Sequence, residues 1–112
     1  MRLVSFEDTV PFADGIVSVT IKSFKNQATK SVFEGIAPKG FSPAVVKVGR
    51  RKLNMIEAAK RLEDLKVPPG NRLHRLEQDR AGQHAIRVND QFRICFRWTD
   101  EGVEDVEITD YH

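Results

Sequence analysis

The 112-residue sequence contains one cysteine, Cys95, one tryptophan, one tyrosine and three histidines. A lone cysteine closes no internal disulfide, and with three scattered histidines it has none of the spacings that build a zinc site. No apolar run approaches the roughly 20 residues a membrane-spanning helix requires. The opening stretch carries Glu7, Asp8 and Asp14 and lacks the sustained apolar region of a secretion signal. A reducing cytoplasm is the expected compartment, with no membrane association and no cofactor. A glycine-rich phosphate loop is missing too: Pro69-Gly70-Asn71-Arg72 is too short, and no Walker-type lysine follows it.

What remains is an ordinary soluble composition, 40% hydrophobic and 30% charged, in a chain long enough for one modest core. The net charge of +2 conceals a strong asymmetry. Seventeen Lys and Arg face seven Asp and Glu between Val19 and Thr99, whereas positions 100–112 hold six acids and no Lys or Arg. A basic body of this strength suits a polyanionic partner, either nucleic acid or an acidic protein tail. A merely solvated surface is the plain alternative.

Val19 to Phe24 alternates with period two and predicts a first strand. Asn26 can cap a short helix through about Glu34. Ser42-Pro43 opens a second helix that apolar spacing carries to about Leu65, with Lys47, Arg50, Arg51, Lys52, Lys60 and Arg61 mostly on its outer surface. Pro68-Pro69-Gly70 ends it. Thereafter the period is two: Leu73 to Leu76, His84 to Val88, Phe92 to Trp98, and a last strand from Val103. The order β-α-α-β-β-β-β predicts an α+β domain with two N-terminal helices packed on a mainly antiparallel sheet.

Alternation sorts the sheet into two faces. Ile86, Val88, Phe92, Ile94, Phe96, Trp98, Val106 and Ile108 point into the core, with His84 a partly buried structural histidine. Arg87, Arg93, Cys95, Arg97, Glu107, Thr109 and Tyr111 point outward, and Arg97 is expected to pair with Glu107 across strands. Arg87 and Arg93 flank the Asn89-Asp90 turn, where guanidinium groups suit phosphate oxygens. The chain's last residues, Asp110-Tyr111-His112, bring a carboxylate, a phenol and an imidazole together. His74 follows the Pro-Pro-Gly turn. Cleavage of RNA without a metal needs a base for the 2′-hydroxyl, an acid for the 5′-oxygen, and cations for the phosphorane. His74 and His112 suit the proton roles, Asp110 can orient or act as base, and Tyr111 can stack on a nucleobase. Taken alone, a histidine beside a turn is more often a plain surface residue than a catalytic one.

Four segments carry a family resemblance: Thr20-Ile21-Lys22-Ser23-Phe24, the helix run Arg51 to Ala59, Pro68 to Leu73, and the long stretch Asp79 to Phe96. The Asp110-Tyr111-His112 ending completes it. From about Val19 to His112 the chain resembles the HigB-type toxins of the RelE/ParE superfamily, which implies a RelE-like fold. The resemblance implies a ribosome-dependent endoribonuclease, an mRNA interferase, with His74, Asp110, Tyr111 and His112 as catalytic residues. It also implies phosphate contacts at Arg87 and Arg93, to which Arg75 and Arg80 are added as basic neighbours. The implied partners are a HigA-like helix-turn-helix antitoxin, the ribosome and mRNA, with operator DNA met only through the antitoxin. Residues 1–18 are expected to be an upstream extension outside a toxin domain spanning 19–112. Two other functions fit the same fold: a gyrase-directed inhibitor, and a non-catalytic RNA-binding module.

Overall fold

The computed structural model describes residues 20–111, so the expected extension and His112 lie outside the described residues. Two helices precede a four-stranded antiparallel meander in the order β1-β2-β3-β4. Helix α1 spans Gln27–Phe33 and α2 spans Pro43–Ala58. The strands are β1 His74–Arg75, β2 His84–Arg87, β3 Phe92–Thr99 and β4 Gly102–Asp110. Among the described residues no helix is long and apolar enough to cross a membrane.

Both helices begin where the sequence places a cap. Asn26 Oδ1 accepts the Thr29 amide at 2.9 Å, and Ser42 Oγ accepts the Val45 amide at 3.2 Å, so each satisfies a donor that the first turn leaves unpaired. Helix α2 ends earlier than apolar spacing predicts. Ala59 is extended, and the Asp64 carboxylate takes the amides of Lys60 and Arg61 at 3.0 and 3.1 Å. Those two donors hold its carboxyl below the ordinary carboxylate range. Having found a side-chain acceptor, they do not continue the helix, and a 3-10 turn over Leu62–Lys66 buries Leu65 instead. Lys52 departs from its expected surface position: it lies on the buried stripe of α2 with Val45, Gly49, Leu53 and Ile56.

Val32, Leu53 and Ile56 from the helices share one apolar cluster with Ile86, Ile94, Phe96, Val106 and Ile108 from the sheet. The opposite face is less polar than alternation implies. Leu76 donates its amide to Gln83 O at 2.9 Å and lies against Ala85 and Cys95, forming a second small cluster with the thiol fully buried. Burial pushes the Cys95 thiol up, which suits packing rather than nucleophilic chemistry.

The predicted first strand is reduced to two parallel bridges, Ile21 to Val103 and Phe24 to Val106. The cause lies in β4. Cys95 pairs with Glu107 and Arg97 with Glu104, so Asp105 and Val106 together stand opposite Phe96, a β-bulge. Asp105 adopts φ 54° and gives its amide to Ser23 Oγ at 2.9 Å instead of to a backbone carbonyl. The bulge breaks the outer ladder, and it lets Val103 and Val106 both point inward although they are three residues apart. Gly102 permits the close approach of the extended segment, since a Cβ there would meet Thr20 O at 2.8 Å.

Candidate functional site

β1 is two residues long, and its register places His74 opposite Ala85 and Arg75 opposite His84. His74 therefore shares the outer sheet face with Ala85 and Arg87, while Arg75 has the other parity. The His74 ring is oriented by Arg72, which adopts a left-handed φ of 49°. His74 Nδ1 lies 2.8 Å from the Arg72 carbonyl oxygen. A carbonyl only accepts, so Nδ1 carries the hydrogen, and in the neutral ring Nε2 is the nitrogen with a lone pair.

The turn between β2 and β3 is held by Asn89, whose Oδ1 accepts the amides of Gln91 and Phe92 at 2.9 and 2.7 Å. This tight closure sets Arg87 directly opposite Arg93, and Arg93 in turn opposite Thr109. Like charges facing each other across strands repel, so each needs a counterweight. Arg87 forms an ion pair with Asp90, whose side chain is 99% exposed. The Arg93 guanidinium lies 5.3 Å from the centroid of the Tyr111 ring, and its Nε is buried with no hydrogen-bond partner among the described residues. The Tyr111 amide donates to Gln91 O at 2.8 Å, which fastens the end of the described chain to this turn.

These contacts converge on an open cleft of about 450 Å³ lined by Arg72, His74, Arg87, Asp90 and Tyr111. The structure thus brings together three of the sequence-derived candidates, His74, Arg87 and Tyr111, with Arg93 packed on the tyrosine ring. Others stand apart. Asp110 pairs with Phe92 on the ladder, and its carboxylate accepts from Gln91 Nε2 at 3.0 Å; it does not line the cleft. Arg80 is bound to Glu107 at 3.2 Å, in place of the expected Arg97–Glu107 pair, and Arg97 lies 3.5 Å from Asp105 because the bulge shifts the register. Arg80 and Arg93 line a neighbouring depression of about 370 Å³. Arg75 joins His74 and His84 around a smaller hollow of about 220 Å³. His84 stacks on Phe96 with centroids 6.3 Å apart, and burial, with Arg75 and His74 nearby, holds its imidazole below the ordinary value.

Sequence reading missed Arg72, Asp90, Lys52 and Asn71. Arg72 and Asp90 carry no motif of their own, because a left-handed turn and a side-chain ion pair bring them to the cleft. Lys52 had a usable signal, since it is three residues after Gly49 and four before Ile56 on the helix stripe that is buried.

Residues 22–112 match the family model described as "RelE-like toxin of type II toxin-antitoxin system HigB". The chain is 48% identical over 50 residues to "Toxin HigB-1" of Vibrio cholerae, an alignment covering 45% of this chain and 53% of that protein. It is 38% identical over 60 residues to a protein of Haemophilus influenzae described as uncharacterized, covering 54% of this chain and 59% of the relative. The matched part of the chain thus spans between half and three-fifths of the length of these curated relatives. Among solved structures, the YoeB-YefM complex from Staphylococcus aureus aligns with TM-score 0.49 and 17% identity over 86% of this chain and 99% of that one. The match over residues 22–112 takes in both helices, the whole meander and every residue lining the cleft, and the chain belongs to the HigB family of RelE-like toxins of type II toxin–antitoxin systems.

Proposed function

We propose that this toxin is a ribosome-dependent endoribonuclease that cuts translated mRNA by acid/base chemistry, and that a HigA-like helix-turn-helix antitoxin restrains it. Operator DNA is then met only through that antitoxin. The observation that carries the reading is the cleft that collects His74, Arg87 and Tyr111 around one open space. In this scheme Nε2 of neutral His74 takes the proton of a 2′-hydroxyl. The freed oxygen attacks the adjacent phosphorus, and the bond to the 5′-oxygen breaks. That oxygen leaves with a proton supplied by the terminal His112, giving a 2′,3′-cyclic phosphate and a 5′-hydroxyl. Arg87 and Arg93, two guanidiniums facing each other with modest counterweights, stabilise the charge that builds on phosphorus. Tyr111 stacks on a nucleobase, and Asp110 orients the tail.

The open form of the cleft supports the ribosome-dependent reading, because something else must hold the strand in line for attack. The test is primer extension on cellular mRNA after brief induction, beside cleavage of naked RNA by the purified protein. Wild type is expected to cut translated messages only, and His74→Ala to lower cleavage by about 10²- to 10⁴-fold, the usual contribution of a positioned proton-transfer group. Growth arrest without mRNA ends, or efficient cutting of naked RNA, would overturn the reading.

A further inference from the structure

Lys52 is 5% exposed and Asn71 is wholly buried. A buried ammonium is costly unless hydrogen bonds replace its water, and a methionine of similar volume would fill the space more cheaply. The two side chains meet: Lys52 Nζ donates to Asn71 Oδ1. The other end of the Asn71 amide is also occupied, with Nδ2 donating to Leu65 O at 3.1 Å and Val67 O at 3.4 Å. Its backbone amide donates to Pro68 O at 2.9 Å. One buried amide therefore gathers the loop from Leu65 to Asn71, and one lysine ties that amide to the middle of α2.

The loop leads straight to the cleft. Arg72 follows Asn71 in the left-handed conformation, and its carbonyl accepts the His74 Nδ1 hydrogen. We infer that Lys52 and Asn71 are positioning residues for His74: their buried contact fixes the loop that presents the Arg72 carbonyl, and through it the imidazole tautomer that leaves Nε2 as base. Lys52 is also electrostatically close to the cleft. Burial first, and then the charges of Arg51 and Arg87, hold its ammonium below the ordinary lysine value. The kinetic part of the proposal rests on the nuclease reading above, while the tautomer part does not.

Long-range ¹H–¹⁵N spectra of the full-length protein, with the His74 ring assigned by difference from His74→Ala, read the tautomer directly and without RNA. Wild type is expected to show Nδ1–H. Lys52→Met, which keeps the volume and removes the donor, is expected to move the ring toward Nε2–H, and Lys52→Arg to restore Nδ1–H. In ribosome-programmed cleavage Lys52→Met should lower kcat by about tenfold or more and leave KM within about twofold, since misplacement of a proton acceptor acts on the chemical step. A merely structural lysine would lower the melting temperature and leave the tautomer untouched, and a folded Lys52→Met protein that retains Nδ1–H overturns the proposal. Should Lys52→Met fail to fold, Lys52→Leu, which likewise lacks a donor, is read in its place with the same two outcomes. Because the spectrum needs no substrate, the positioning role stands or falls separately from the nuclease reading, which His74→Ala tests.

Discussion

Individual side chains here divide into those that alternation locates and those that a neighbour's geometry locates. His84 belongs to the first group, and it has a measurable consequence. Its ring is held below the ordinary value of 6.5 by burial, with Arg75 and His74 adding to the effect. The unfolded chain then binds a proton at this position more readily than the folded one. The stability its neutral ring contributes is complete above about 6.5 and is lost as the pH falls below that value. In urea melts between about pH 7.5 and about pH 5.5 the wild-type midpoint should drop, and His84→Gln should flatten that slope. An unchanged slope would assign the acid sensitivity to other groups. Arg87, Arg93 and Tyr111 were legible as one face from strand alternation, whereas the face of His74 is set by its pairing with Ala85. Arg72 was not legible, since nothing in Pro69-Gly70-Asn71-Arg72 announces a left-handed residue at a non-glycine position. Arg80 reads in the sequence as a surface arginine, and its pairing with Glu107 is visible only once the fold brings the two together.

Elements are most legible where the sequence carries capping chemistry. Asn26 and Ser42 mark both helix starts, whereas the end of α2 depends on Asp64, a side chain that captures amides from further back along the chain. The last strand misleads in phase, because alternation counted from Ile108 and Val106 assigns Val103 to solvent, and only the bulge at Asp105 returns it to the core. A hydroxyl contact joins α1 to β4. Thr29, wholly buried, donates its hydroxyl to Asn26 Oδ1 at 2.8 Å and accepts the Ile108 amide at 3.0 Å. Thr29→Val keeps the shape and strands that amide, so it should cost about 1–3 kcal/mol in chemical denaturation. Hydrogen exchange at Ile108 should accelerate by more than at Ile94. Equal protection at both amides would show that the threonine does not hold the end of β4.

For the molecule as a whole, the proposed RNA partner implies an attraction whose strength depends on salt. Lys47, Arg50 and Arg51 line an open groove on the α1–α2 side, together with Gly35, Ala37, Pro43, Val46 and Asn54. If these cations meet ribosomal RNA phosphates, replacing all three with alanine should reduce the salt slope of ribosome binding by about one unit for each phosphate no longer neutralised. Binding at low salt should weaken far more than folding stability changes. A variant with the wild-type salt slope would exclude this face from the interface. The bulge in β4 has one more consequence. With Asp105 removed, Val103-Glu104-Val106-Glu107-Ile108 would be a flawless alternating strand, so hydrophobic burial alone gives no reason for the extra residue. Its contribution is curvature and the berth for Ser23, which makes this strand a place where a single-codon deletion could spare the oil-drop interior and yet redirect everything downstream, including the tyrosine at the rim of the cleft.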